Sequence, residues 1–160
     1  MRKFFILLGL TLLIFSCATT PEKKINSAYV MVYDFENETV MDAQVFVDEN
    51  LIGVTDIYGR LMFTPVQTKS GRKNRENEIT HTIKVQKKGY ETVSITGSIR
   101  AGQVFYFKTG TAEYYAFKAE ENLDNGEFEN ALKMINAALL INERRDYSYL
   151  KKVIEERAGK

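Results

Sequence analysis

At Thr111 the spacing of apolar residues changes from a period of 2 to a period of 3.6, and this switch divides what the chain can become. Before it, Tyr29, Met31, Tyr33 and Phe35 alternate with Val30, Val32 and Asp34, and Ala43, Val45 and Val47 alternate with Gln44, Phe46 and Asp48. His81, Ile83 and Val85 share a face opposite Thr82, Lys84 and Gln86, while Val93, Ile95 and Ile99 oppose Thr92, Ser94, Thr96 and Ser98. Polar breaks at 36–38, 48–50, 56–59, 88–89 and 101–102 punctuate these runs. About seven short strands follow over residues 27–108, ending with Val104 to Lys108, and regular punctuation of this kind predicts an antiparallel β-sandwich. Phe105, Tyr106 and Phe107 put aromatic residues on both faces of the last strand, which predicts a strand buried on both sides in preference to a carbohydrate platform.

After the switch, Tyr115, Ala119 and Leu123 mark one helical face, and Asn125–Gly126 is a suitable stop. Phe128 opens a second helix with Ala131, Leu132, Ile135, Ala138 and Leu139 as its stripe, ending at Asn142. Asp146 is the expected cap of a third helix that carries Tyr147, Leu150, Val153 and Ile154 inward. The expected fold class is therefore α+β: a sandwich, then a helical hairpin with a capping helix over residues 111–157.

The first residues are not part of that pattern. Arg2 and Lys3 precede an apolar run from Phe4 to Phe15, then Ser16 and Cys17, the layout of a secretory signal peptide and too short for a membrane span. Ile14-Phe-Ser-Cys17 resembles a bacterial lipobox. The resemblance implies cleavage before Cys17 and acyl chains on its sulfur and new amine. It places the mature chain outside the cytoplasm on a bacterial membrane, the outer rather than the inner, since Ala18 gives no retention signal. Cys17 is the only cysteine, so the fold has no internal disulfide. The next nine residues, Ala18 to Asn26, read as a tether that reaches about 30 Å at about 3.3 Å per residue.

Charge excludes some functions. The chain has 22 Lys+Arg against 21 Asp+Glu, and without Arg2 and Lys3 the balance becomes 20 against 21. A near-neutral chain lacks the electrostatic footprint of a nucleic-acid binder. The basic residues Lys69, Arg72, Lys73 and Arg75 cluster in one polar stretch, read as a solvated hairpin loop or as a contact site for anionic lipid headgroups or a partner. His81 is the only histidine and lies in phase with two core-facing residues, so it reads as structural. With one histidine and one cysteine, most zinc and nucleophilic sites are excluded, and Gly53 and Gly59 lack the following helix of a phosphate loop. Asp34, Asp42, Asp48 and Asp56 lie near turns, where aspartate serves the backbone; a glycan-active site among them is the rival reading.

Two further resemblances carry functional expectations. Ala43-Gln-Val-Phe-Val-Asp48, Leu51-Ile-Gly-Val-Thr-Asp56, Gly59-Arg60 and Phe63 resemble the carboxypeptidase regulatory-like (transthyretin-type) sandwich; with Ile83-Lys-Val-Gln-Lys-Lys-Gly-Tyr-Glu91 the segment is also similar to a PEGA domain. Both families imply a surface, carbohydrate-adjacent or scaffolding module with no catalytic residues. Tyr115, Ala119, Gly126, Phe128, Ala131, Ile135, Ala138 and Leu139 resemble one tetratricopeptide repeat, a pattern that a plain amphipathic hairpin shares. The expected function is a membrane-anchored, non-enzymatic protein-interaction or scaffolding module that docks a protein partner or another copy of itself. Cell-envelope glycan binding is the alternative. The candidate partner contacts are Tyr115, Lys118, Glu121 and Lys133. No cofactor is expected beyond the lipid on Cys17.

Overall fold

A computed structural model describes residues 27–65, 72–73 and 79–159. Cys17, the tether, Lys69 and Arg75 lie outside the described residues. The fold is α+β, with eight strands followed by three helices among the described residues. The strands are β1 (Ala28–Asp34), β2 (Gln44–Val47), β3 (Asn50–Val54), β4 (Arg60–Phe63), β5 (Arg72–Lys73), β6 (Ile79–Gln86), β7 (Val93–Gly97) and β8 (Val104–Thr109). The helices are α1 (Ala112–Asp124), α2 (Phe128–Ile141) and α3 (Arg145–Arg157). No helix among the described residues is long and apolar enough to cross a membrane.

The strands form two sheets. One has the order β4-β1-β8; in the other, β3, β2, β6 and β5 neighbour in that order and β7 also pairs with β6. The expected all-antiparallel arrangement is corrected at one place: β1 and β8 run parallel, from Tyr29↔Val104 to Asp34↔Thr109. The chain leaves β1, builds the whole second sheet, and returns to lie beside its own first strand, so the intervening strands act as the crossover a parallel pair needs. Alternation of apolar residues carries no information about strand direction, so the sequence could not show this. Arg72 and Lys73, read as loop, instead pair with Thr80 and Ile79 as the short strand β5.

One apolar cluster draws on both sheets: Val30, Val32, Phe63, Phe105 and Phe107 from the first, Val45, Val47, Ile83 and Val85 from the second. Each side chain of this size stabilises the fold by about 1.5–3 kcal/mol when fully buried. On β1 the valines face inward, and Tyr29, Met31 and Tyr33 are only half-buried on the outer side. Tyr106 likewise points outward at 68% exposure between buried Phe105 and Phe107, so β8 is buried on one face, not two.

The carboxylates of Asp34, Asp48 and Asp56 serve the backbone at turns, whereas Asp42 is exposed. Asp56 Oδ1 accepts from the backbone N–H groups of Arg60 (2.9 Å) and Tyr58 (2.8 Å), and the Arg60 bond first, then that of Tyr58, holds its carboxyl below the ordinary range. Asp34 Oδ1 accepts from Glu36 and Glu38 N–H, both at 2.9 Å. Asp48 Oδ1 accepts from Thr82 N–H at 2.9 Å, and its Oδ2 lies 2.6 Å from Nδ1 of buried His81. Gly59, at φ +67, has to be glycine, because an added Cβ would stand 2.5 Å from the Val32 carbonyl oxygen.

The helices have a second core of their own, built from Ala119, Leu123, Ala131, Ile135, Ala138, Tyr147 and Ile154 among others. Thr111 caps α1, its hydroxyl accepting from Tyr114 N–H at 3.1 Å. The expected cap of α3 is corrected. Arg144 occupies that position and Asp146 lies inside the first turn, bound to the Arg144 guanidinium at 2.8 and 3.2 Å.

Candidate functional site

The two cores meet at a narrow joint. Glu91 N–H donates to the Gly110 carbonyl at 2.8 Å, and the Thr109 hydroxyl donates to the Glu91 carbonyl at 2.7 Å. The Tyr115 hydroxyl donates to the Glu91 carboxylate. Burial first, then that carboxylate, push the Tyr115 phenol well above its ordinary value. Phe35 stacks on Tyr114 at 5.0 Å between ring centroids and meets Tyr115 edge-on at 6.1 Å. Gly110 permits this closeness, since an added Cβ would stand 2.7 Å from the Tyr115 ring.

Beside the joint, the sheet and α2 enclose an open cleft of about 940 Å³. Its floor is a row set by strand register, Val54↔Gln44↔Gln86 across β3, β2 and β6, with exposed side chains. One wall is the β6–β7 connection, including Lys88, Tyr90, Glu91 and Thr92, and the other is Ala137, Leu140 and Ile141 of α2. Lys87 braces the first wall, its Nζ donating to the Met41 carbonyl at 2.7 Å and lying 5.0 Å from the centre of the Tyr90 ring. Leu140 is 90% exposed. The cleft thus offers an apolar wall, two amides that each donate and accept, the cation of Lys88 and the carboxylate of Asp42. Among the described residues, those lining the cleft include no histidine, cysteine or serine.

The structure separates the four candidate contacts on the helices. Tyr115 is buried at 8% exposure and forms part of the joint. Lys118 and Glu121 face solvent on α1 and pair with each other at 2.6 Å, which raises the Lys118 ammonium above its ordinary value. Lys133 is exposed on α2, the helix that supplies Leu140. Of the basic stretch, Arg72 and Lys73 have backbone placements in β5.

Sequence reasoning missed Gln44, Gln86, Tyr90 and Leu140 as a set. Leu140 had a signal: it is a large apolar residue off the stripe of Ala131, Leu132, Ile135, Ala138 and Leu139. The amides had none, because only strand pairing brings Gln44 beside Gln86.

No protein-family model matches the chain, and no curated protein matches it.

Proposed function

We propose that this chain is a bacterial lipoprotein, anchored through acyl chains on Cys17 to the outer membrane, and that it acts outside the cytoplasm as a non-catalytic protein-interaction module. On this reading the two sheets pack as a β-sandwich of PEGA or regulatory-like kind, which the core shared between them supports. The helices then form one tetratricopeptide-like hairpin with α3 as its cap, supported by the separate helical core.

The observation that carries the reading is Leu140, 90% exposed on the wall of the cleft. A large aliphatic side chain held by a rigid helix above a polar floor suits an amphipathic segment of a partner, with Leu140 and Val54 taking its apolar side and Gln44 and Gln86 its backbone. Lys133 lies two turns before Leu140 on α2 and extends the same binding surface.

A second reading rests on the amides. Gln44 and Gln86 in register, with the Tyr90 ring nearby, are also a surface for a saccharide, whose hydroxyls bond amides and whose ring stacks on tyrosine. Two experiments test the proposal. Metabolic labelling with a palmitate analogue is expected to tag the protein and to fail in Cys17→Ala; a tag unchanged in that variant contradicts the anchor. Retention of envelope components by wild type and by Leu140→Asp separates the two occupants. Loss of a specific protein in the variant supports the protein reading, whereas retention of cell-wall glycan lost with Gln44→Ala supports the saccharide.

A further inference from the structure

The outer face of the β4-β1-β8 sheet is built for a different surface from the cleft. Register places Tyr29 between Met62 and Val104 in one row, and Met31 between Arg60 and Tyr106 in the next. Tyr33 then stands beside Lys108. Met62 and Tyr106 are 62% and 68% exposed, and Val104 is exposed too. Among the described residues, these rows carry methionine, tyrosine and valine with two cations and no carboxylate. The Arg60 guanidinium lies 4.6 Å from the Tyr58 ring centre and 3.4 Å from Asp56 in the adjoining turn, while Lys108 donates to the Asn37 side chain at 2.9 Å.

We propose that this face rests on the lipid headgroups of the membrane to which the chain is tethered. The chain enters at Ser27 and reaches the first row two residues later. Ser27 and Tyr29 are held beside β8 by the Gly102 N–H to Ser27 carbonyl and Tyr29 N–H to Gln103 carbonyl bonds. Residue 17 is only nine tether residues away, a reach of about 30 Å, so the first row cannot leave the neighbourhood of the bilayer. Tyrosine suits the headgroup zone because its ring is apolar and its hydroxyl wet, and methionine adapts to an irregular surface. Arg60 and Lys108 complement anionic headgroups, an attraction that falls with salt.

The inference rests on the proposed anchoring only for the position of residue 17 at a bilayer, and the test supplies that position independently. Residues 17–160 keep every residue described above, and Cys17 is their only thiol. That thiol is coupled to maleimide headgroups on vesicles of phosphatidylcholine and phosphatidylglycerol with brominated acyl chains. The chain has no tryptophan, so Met62→Trp, Tyr106→Trp and, as a control on α3, Tyr149→Trp each give a single reporter at an exposed position. The expected result is a blue shift and bromine quenching at 62 and 106, neither at 149, and weaker quenching when Arg60→Glu and Lys108→Glu are added. Emission at 62 and 106 as water-exposed as at 149 overturns the proposal. So does shielding that appears without vesicles, which assigns the face to a second copy, or only on adding envelope proteins, which assigns it to a protein. A failed palmitate label at Cys17 leaves this result unchanged, so the two failures are distinguishable.

Discussion

Tyr115 fastens the helices to the sheets with one hydroxyl. Tyr115→Phe removes its bond to Glu91 and is expected to lower stability by about 1–2 kcal/mol in urea unfolding. The pH dependence has a definite sign. The folded chain holds the phenol proton above the ordinary value of 10.0, while the unfolded chain releases it there. The contribution is therefore intact below pH 10 and is lost as pH rises from 10 toward the folded value. Tyr115→Phe should flatten the alkaline fall in stability; an unchanged slope would show that the fall belongs to other tyrosines. Thr55 makes a second prediction. Its hydroxyl accepts from Ala43 N–H at 2.9 Å and donates to the Val40 carbonyl at 2.7 Å, all buried. Thr55→Val keeps the shape and leaves two buried backbone groups unpaired, which should cost about 2–4 kcal/mol and lower the thermal midpoint. Neither role was legible in the sequence. Both depend on partners 12 to 24 residues away, and no local pattern records them.

Among the elements, the helices were the most legible part. Their 3.6 period is long, and Asn125–Gly126 and Asn142 end α1 and α2 as read, with Gly126 at φ +77. The start of α3 was misplaced because Asp146 is as good an N-terminal charge as a cap, and the Arg144 guanidinium claimed its carboxylate. The strands were legible as strands, but not their partners: the parallel β1–β8 pair and the short β5 are products of topology. The inward face of β1 was ambiguous because both faces are apolar, and the valines won it while the tyrosines, with a polar hydroxyl, stayed at the surface. Packing gives the test at this scale. Ile135 and Ile154 are fully buried in the helical core, so Ile135→Ala or Ile154→Ala should cost about 2–5 kcal/mol. If the two cores unfold separately, those variants shift the helical far-ultraviolet signal and leave the sheet transition in place. A single shared transition would show that the joint at Glu91 and Tyr115 couples the two cores.

At the scale of the whole molecule, the proposed account joins a short tether, a sheet face suited to headgroups and a cleft lying between the sheet and α2. The proposed anchor rests on the sequence alone, where a charged start, an apolar run and a Ser16–Cys17 junction are contiguous. The cleft was not legible there, since its floor comes from three strands and one wall from Ala137, Leu140 and Ile141 of a helix that is distant from them in the chain. The central claim is that Leu140 is a docking residue and not an accident of the surface. At 90% exposure, Leu140→Asp should change stability by less than about 0.5 kcal/mol, so any loss of binding is a loss of contact. The most direct measurement places a photo-crosslinking benzophenone side chain at position 140 of the full chain in living cells, with position 149 as control. A discrete protein adduct is expected from 140, absent from 149 and abolished by Val54→Asp on the floor of the cleft. Equal labelling from both positions, or an adduct indifferent to Val54→Asp, would contradict the central claim.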